Sequence, residues 1–306
     1  MPEHTPIVYL QGAFMPIDQA HVPVLDRGFI FGDGVYEVIP VYSRRPFRLQ
    51  EHLRRLQHSL DGIRLSNPHT DQEWADLVAQ LIARNDGEDQ SVYMQITRGV
   101  ARRDHAFPPG IKPTIFIMSN PMTLPQPELR ASGVSAITAP DNRWLRCDIK
   151  ATSLLPNVLL RQLAVDAGAA EVVLLRDGCS SASLHPQYLG VLSGSFLTEG
   201  AASNIFVVQN NTLLAPPKDH LMLPGITYDV VIELAVANNI RCEVRPISEH
   251  EVRTAQELWQ TSSLREVMPI TLLDGKPVGD GRPGPLFRKM YALYQDYKQA
   301  VRAGKE

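Results

Sequence analysis

The sequence has few cysteines, no long apolar segment and almost no excess of charge. The three cysteines, Cys147, Cys179 and Cys242, form no CxxC pair, which argues against structural zinc and a disulfide framework. No segment approaches the roughly 20 apolar residues of a membrane span, and the amino-terminal residues lack the pattern of a signal peptide. With 30 basic and 33 acidic residues, a net charge of −3 does not favour nucleic-acid binding. The composition predicts a cytoplasmic α/β protein without a metal and without membrane or nucleic-acid partners.

Lysine is also scarce, because only seven of the 306 residues are lysines and none precedes Lys112. A phosphate loop of the Walker type requires a lysine after its glycines, so the first 111 residues cannot contain one. The motifs GxSxG and HExxH are absent as well, which excludes two common hydrolase sites.

Strand-like segments alternate with helical patterns in the first 119 residues. The leucines of segment 49–60 recur at steps of four, three and four, which predicts one face of a helix. Three prolines between residues 120 and 129 predict an extended linker. Strand and helix patterns resume beyond it. We therefore predict a smaller N-terminal α/β domain over residues 1–119, a linker over 120–129 and a larger C-terminal α/β domain over 130–306.

One segment of the second half fits neither periodicity. Residues 179–195, from Cys179 to Ser195, are rich in serine and glycine. Long irregular segments inside compact domains are uncommon and often functional. This pattern indicates an exposed insertion, which either reshapes substrate access or lies on a surface between subunits.

Lys150 differs from the other lysines because it directly precedes a strongly apolar stretch, at the end of a short extended segment. Apolar surroundings lower the pKa of an amine, as a Schiff-base nucleophile requires. The alternative is a structural lysine that is paired with Asp148 or reaches out to solvent.

Glu199 is followed by Gly200 and then by an apolar strand. A partly buried carboxylate needs a cationic partner. That partner is either an arginine or a protonated ring nitrogen of a ligand.

Two further elements suit anions. Gly225, Ile226 and Thr227 form a turn into a helix, where free backbone N–H groups and the positive helix end favour a phosphate. Arg103 and His105 share a loop that is either a solvated basic segment or a clamp for a substrate carboxylate.

Together these segments resemble the fold-type IV pyridoxal-phosphate (PLP) enzymes, and most closely the D-amino-acid transaminases. The resemblance implies a two-domain α/β fold with a C-terminal pseudo-barrel, and it extends in the family's order from Arg27 to Ser263. The matching segments are RGFIFGDGVYEV, EHLRRL, TRG, RDHAF, RWLRCDIK, LTEGAASNIF, LPGIT and TSS.

The resemblance also implies roles around PLP. Lys150 would hold the cofactor as a Schiff base and later move the α-proton. Glu199 would face the pyridine nitrogen and keep it protonated, so that the ring accepts electrons. The remaining contacts implied for the cofactor are Arg55, Leu223, Gly225, Ile226, Thr227, Ser262 and Ser263, with Leu223 on one ring face and most of the others around the phosphate.

In D-amino-acid transaminases an Arg-x-His pair and a tyrosine trap the α-carboxylate of the substrate. The resemblance implies that the same residues determine substrate choice here. Arg103, His105 and Tyr36 match that pattern. The expected reaction is a ping-pong transamination of D-amino acids with 2-oxoglutarate or pyruvate as acceptor, in a homodimer. The alternatives of the same fold are a branched-chain L-amino-acid transaminase and an aminodeoxychorismate lyase, which would release pyruvate without an amino acceptor.

Two positions depart from the family pattern. Ala202 stands where relatives commonly have a serine near the phosphate, and Tyr228 replaces an arginine often found after GIT. The expectation is that one phosphate contact is missing and that cofactor retention is weaker.

Overall fold

The computed structural model describes residues 5–123, 125–178 and 194–305. Within these ranges the chain forms two compact units. Unit 1 contains the described residues up to Thr123, together with Ile149–Leu154 and the described residues from Ala300 onward. Unit 2 contains the remaining described residues.

Unit 1 is built on an antiparallel sheet whose described strands follow the order β2-β1-β6-β5-β3-β4. The strands are β1 (Ile7–Leu10), β2 (Ala13–Pro16), β3 (Gly34–Tyr42), β4 (Arg45–Pro46), β5 (Gln90–Thr97) and β6 (Thr114–Pro121). The α-helices are α1 (Arg27–Phe31), α2 (Leu49–Gly62) and α3 (Asp71–Arg84), and a 3-10 turn covers Ile17–Gln19.

Helix α2 covers one face of this sheet, as the leucine spacing predicts. Leu53, Leu56 and Leu60 are buried in the same core as Val35 and Ile39 of β3. The apolar stripe of the helix thus faces the inward side chains of the strand. The predicted helix is confirmed and begins at Leu49.

The short segment Ile149–Leu154 is held against the start of β3. The backbone N–H of Tyr36 donates to the carbonyl of Lys150 at 2.9 Å, and that of Thr152 donates to Gly34 at 3.0 Å. A single bridge pairs Val35 with Ala151. These bonds hold the backbone of Lys150 on the sheet of unit 1.

Unit 2 contains a mixed sheet with the order β12-β11-β10-β13-β14-β7-β8-β9 among the described strands, and β15 pairs with β14. The pairs β7–β8, β7–β14 and β11–β12 are parallel. The strands are β7 (Val134–Pro140), β8 (Glu171–Asp177), β9 (Ser195–Gly200), β10 (Asn204–Gln209), β11 (Thr212–Ala215), β12 (Cys242–Val244), β13 (Glu257–Ser262), β14 (Glu266–Leu273) and β15 (Lys276–Pro277). The described helices that begin in unit 2 are α4 (Pro127–Ser132), α5 (Leu155–Asp166), α6 (Ile226–Ala237), α7 (Glu249–Arg253) and α8 (Pro285–Arg302), the last of which ends within unit 1.

The segment 120–129, expected to be an extended linker, is not extended throughout. Strand β6 runs to Pro121, and α4 begins at Pro127. A proline at the first helical position costs no hydrogen bond and already has a helical φ. Of the prolines in this segment, Pro121 therefore ends a strand and Pro127 begins a helix.

Most of the expected insertion, residues 179–195, lies outside the described residues. Only Gly194 and Ser195 at its end are described, and Ser195 begins β9. Among the described helices, none is long and apolar enough to span a membrane.

Candidate active site

Glu199 lies near the end of β9 with its carboxyl group buried. Its side chain accepts hydrogen bonds from the Arg143 guanidinium, from the Leu223 N–H at 3.2 Å and from the Asn204 side-chain amide at 3.2 Å. Burial raises the pKa of Glu199 to about 7, although the positive charge of Arg143 acts in the opposite direction. A raised pKa makes this carboxyl sensitive to any further cation beside it.

A second carboxylate, Asp141, holds the other side of Arg143. It accepts from Arg143 Nε at 2.9 Å, from Arg176 at 3.0 Å and from the Thr198 hydroxyl at 2.8 Å. Burial alone would lower the pKa of Arg143, but Glu199 and Asp141 together raise it above its usual value. The guanidinium thus remains positive and fixes the orientation of Glu199.

The start of helix α6 lies next to this carboxylate network. Gly225 is the N-cap residue, and no side chain caps the helix. A Cβ at this position would lie 2.0 Å from Asn204 Oδ1, so only glycine fits. The side-chain amide of Asn204 also donates to the Leu223 carbonyl at 2.9 Å. Because the first N–H groups of a helix have no intrahelical acceptor, those of Ile226 and Thr227 are suited to an anion.

The two serines of the TSS motif lie at the end of β13. The neighbouring Thr261 pairs with Asn204 of β10, so Asn204 connects the end of β13 with the start of α6. Ser262 and Ser263 are half-buried, and the Ser262 hydroxyl accepts from the Arg265 N–H at 3.3 Å. Asn204 thus lies against Gly225 at the start of α6 and pairs with the residue that precedes the two serines.

The two departures from the family pattern have different environments. Tyr228 is buried, stacks on Phe206 with ring centroids 5.0 Å apart and donates its hydroxyl proton to the Pro216 carbonyl at 2.8 Å. It is a core residue. Ala202 is exposed, whereas the neighbouring Ser203 hydroxyl donates to Glu171 at 2.8 Å.

Lys150 is half-buried beside Tyr36. Its Nζ lies 4.2 Å from the centroid of the Tyr36 ring, and its backbone N–H donates to the Ser59 hydroxyl at 3.1 Å. Asp148, the alternative partner considered from the sequence, pairs with Arg146 through two bonds of 3.0 Å. The environment of the Lys150 amine thus includes an aromatic face.

Arg55 projects from α2 onto a buried carboxylate. Its Nε and Nη2 donate to the two oxygens of Glu37, each at 2.8 Å, and His52 Nδ1 lies 2.8 Å from the same carboxylate. Burial alone would raise the pKa of Glu37, but Arg55 and His52 lower it well below its usual range. Glu37 stays ionised and fixes the plane of the Arg55 guanidinium within unit 1.

Arg103 and His105 are exposed and share one aromatic neighbour. The Arg103 guanidinium carbon lies 5.4 Å from the centroid of the Phe31 ring, and the His105 ring lies 5.3 Å from the same ring. Within unit 1, the Lys150 amine therefore lies beside the Tyr36 ring, and Arg103 and His105 both contact the Phe31 ring.

Sequence reasoning missed the residues that hold these side chains in place. Arg143, Asp141 and Glu37 were not identified, although each is charged and buried. The same signal that marked Glu199, a carboxylate within an apolar strand, also marks Glu37 in GVYEVIPVY. Arg143 gave no such signal because it lies outside the strands and one of its two carboxylate partners, Glu199, is 56 residues away.

Comparison with known proteins agrees with this arrangement. Residues 34–273 match the model of the family Amino-transferase class IV. The chain is 37% identical over 289 residues to a D-alanine aminotransferase of Bacillus licheniformis. The aligned region covers 94% of this chain and 96% of the relative. It is 35% identical over 294 residues to a D-alanine aminotransferase of Staphylococcus epidermidis, with 96% and 98% covered.

Solved structures confirm the predicted fold class. A branched-chain amino acid aminotransferase of Escherichia coli superimposes with a TM-score of 0.84 at 24% identity, covering 96% of this chain and 94% of that one. The enzyme of Thermoproteus uzoniensis gives 0.82 at 25% identity, with 98% and 96% covered. The near full-length similarity and the extent of the family match show that this chain belongs to the class IV aminotransferases.

Proposed function

We propose that the protein is a PLP-dependent transaminase that moves amino groups between D-amino acids and 2-oxo acids, with 2-oxoglutarate or pyruvate as acceptor. The observation that carries the proposal is the near full-length identity to D-alanine aminotransferases. The presence of Arg103, His105 and Tyr36 in the pattern of D-amino-acid transaminases supports it.

The side chains present fit PLP. A cationic ring nitrogen suits Glu199, because burial raises the pKa of this carboxyl to about 7 and a cation beside it would stabilise the ionised form. A phosphate suits the start of α6, because no side chain caps the first N–H groups of this helix. A Cβ at the N-cap residue Gly225 would clash with the Asn204 side chain. The chain therefore offers a partner for each charged end of the cofactor.

Each residue then has a definite task. Bound PLP supplies an electron sink for the pair left when the Cα–H bond breaks. The Lys150 amine would hold the cofactor and move the proton at the substrate α-carbon. Glu199 would accept a hydrogen bond from the ring nitrogen, Arg143 would keep Glu199 oriented, and Leu223 would pack against the ring.

The phosphate is assigned to several groups of the chain. The backbone N–H groups after Gly225 would donate to the phosphate at the positive end of α6. The Ser262 and Ser263 hydroxyls and the Arg55 guanidinium complete the set. Tyr228 contributes packing under this helix instead of a charge, because its side chain is buried.

We assign the choice between D- and L-substrates to the residues that bind the substrate carboxylate. A guanidinium binds a carboxylate through two charge-assisted hydrogen bonds, which fixes orientation as well as affinity. We assign Arg103, His105 and Tyr36 to the α-carboxylate of the substrate. Its position decides which face of the α-carbon presents its hydrogen to Lys150.

The proposal includes a homodimer. Helix α5 buries Leu160 and Ala164, yet it exposes an apolar face on its other side. Contiguous exposed apolar surface of this kind marks an interaction site. The exposed residues of this α5 face are Leu155 (69%), Val158 (58%), Leu159 (60%) and Leu163 (49%).

A spectrophotometric donor screen of the holo-protein tests the substrate assignment. D-Alanine or D-glutamate should convert the bound cofactor to its amine form, whereas L-leucine should not. Arg103→Gln should raise KM for D-alanine by about tenfold to a hundredfold, because charge-assisted bonds to the carboxylate are lost. The adjacent exposed Arg102→Gln serves as the matched control and should leave KM within about twofold of the parent. Preferential reaction with L-leucine would contradict the D-specific assignment.

A further inference from the structure

Arg27 lies buried beneath the loop that carries Arg103 and His105. Only 3% of its surface is exposed. Its Nη1 donates to the Asp104 carbonyl at 2.5 Å and to the Ala106 carbonyl at 3.4 Å, and its Nη2 donates to the His105 carbonyl at 3.4 Å. One guanidinium thus binds three consecutive carbonyls of this loop.

The third nitrogen of the Arg27 guanidinium, Nε, is held by a carboxylate. Arg27 Nε donates to Asp33 Oδ2 at 2.8 Å, and Arg98 Nε donates to the same oxygen at 2.8 Å. Burial alone would raise the pKa of Asp33, but the hydrogen bonds from Arg98 and Arg27 lower it below its usual value. Asp33 is therefore an ionised group that fixes the plane of the Arg27 guanidinium.

The backbone of Arg27 is fixed as well. It begins α1, whose N-cap residue Asp26 accepts from the Gly28 N–H at 2.8 Å and from the Thr114 hydroxyl at 2.6 Å. The Arg27 N–H donates to the Gly99 carbonyl at 2.9 Å. The side chain consequently extends from a rigid base.

The same helix supplies the aromatic support of the loop. Arg27 lies under Phe31 at 4.9 Å from the ring centroid, and Phe31 contacts both Arg103 and His105. The carbonyls of residues 104–106 and the two exposed side chains are thus positioned by α1.

We propose that Arg27 is a positioning residue, which holds the backbone of residues 104–106 so that Arg103 and His105 bind the substrate carboxylate. The proposal rests on the proposed function, since it assigns those two side chains to the carboxylate. Three carbonyls and one carboxylate require donors in a planar fork, which arginine has and lysine lacks. Arg27 itself touches no substrate in this account.

The test combines kinetics with limited proteolysis of the holo-protein. Arg27→Met should raise KM for D-alanine and for the oxo acid by about tenfold while kcat changes by less than about threefold. Tryptic cleavage after the exposed Arg102 should become about tenfold faster, because cleavage follows the population of the opened loop. Arg27→Lys, which keeps the charge within the fold, should give a smaller change in the same direction.

Arg44 provides a matched control in another loop of unit 1. It also donates to three backbone carbonyls, those of Ile82 at 2.8 Å, Asn85 at 3.1 Å and Gly87 at 3.2 Å. Arg44→Met should leave KM and cleavage after Arg102 unchanged.

The possible results separate the two claims. Joint rises in KM and cleavage for both Arg27 variants would support the proposal. A higher KM without faster cleavage, or no change in either, would overturn it. Faster cleavage with KM unchanged in both Arg27→Met and Arg103→Gln would instead refute the carboxylate assignment of the proposed function, while the anchoring of the loop would stand.

Discussion

The ionisation of Glu199 depends on the positive charge of Arg143 in the same chain. Its carboxyl is buried with a pKa raised to about 7, and Arg143 is the charged group that opposes this rise. Asp141 keeps the guanidinium in place and itself accepts a hydrogen bond from the Thr198 hydroxyl. A carboxylate prepared in this way is ionised only above about pH 7 until a ring N–H arrives beside it. Glu199 should therefore contribute a step near pH 7 to the pH dependence of cofactor binding.

The pH dependence of cofactor affinity measures that coupling. Below about pH 7 Glu199 takes up a proton and can no longer accept the ring N–H as an anion. The dissociation constant of PLP for the apo-protein should then rise by up to about tenfold for each pH unit. In Arg143→Met the midpoint should move to higher pH, because the stabilising cation is gone. Fluorescence titration of the apo-protein between pH 5.5 and 9 gives both midpoints.

Two variants make this measurement specific. Arg146→Met removes an arginine of the same segment whose partner is Asp148, so its midpoint should equal that of the parent. Glu199→Gln cannot ionise and should lose the pH step altogether. A step near pH 7 that persists in Glu199→Gln would assign the titration to another group.

At the level of elements, long periodic segments were predictable and short ones were not. The spacing of leucines predicted α2. Helix α1 has five residues, too few for a helical period to show, yet it carries Arg27 and Phe31. The side chains that orient the candidate site are therefore the part that sequence reasoning missed.

A substitution on helix α5 tests the proposed dimer. Leu159→Glu places a charge on its exposed apolar face. If two chains bury this face against each other, association should weaken by about a hundredfold, since an unpaired charge would be desolvated. Light scattering after size-exclusion chromatography should then show monomers where the parent gives dimers.

The control is a glutamate on a polar helix surface. Ala79 is exposed on α3, and Ala79→Glu should leave the dimer intact. A Leu159→Glu protein that remains fully dimeric would place the interface elsewhere.

At the scale of the whole molecule, the segment Ile149–Leu154 is the main exception to the predicted division of the chain into two consecutive domains. The sequence predicts a domain boundary near residue 120, but this short segment belongs with the first unit, where β3 holds its backbone. Pairing of a short segment with a distant strand leaves no periodic trace in sequence. Lys150 was recognised from its chemistry and its motif, whereas its contacts with Tyr36 and Ser59 required the fold.

Lys150 is the residue on which the account depends most. Reduction of the holo-protein with borohydride, followed by peptide mapping, shows which lysine carries the cofactor, and only seven lysines compete. The account predicts the label on Lys150 alone, with loss of label and of turnover in Lys150→Ala and neither loss in Lys112→Ala, an exposed lysine of unit 1. A label on another lysine, or full turnover in Lys150→Ala, would contradict it.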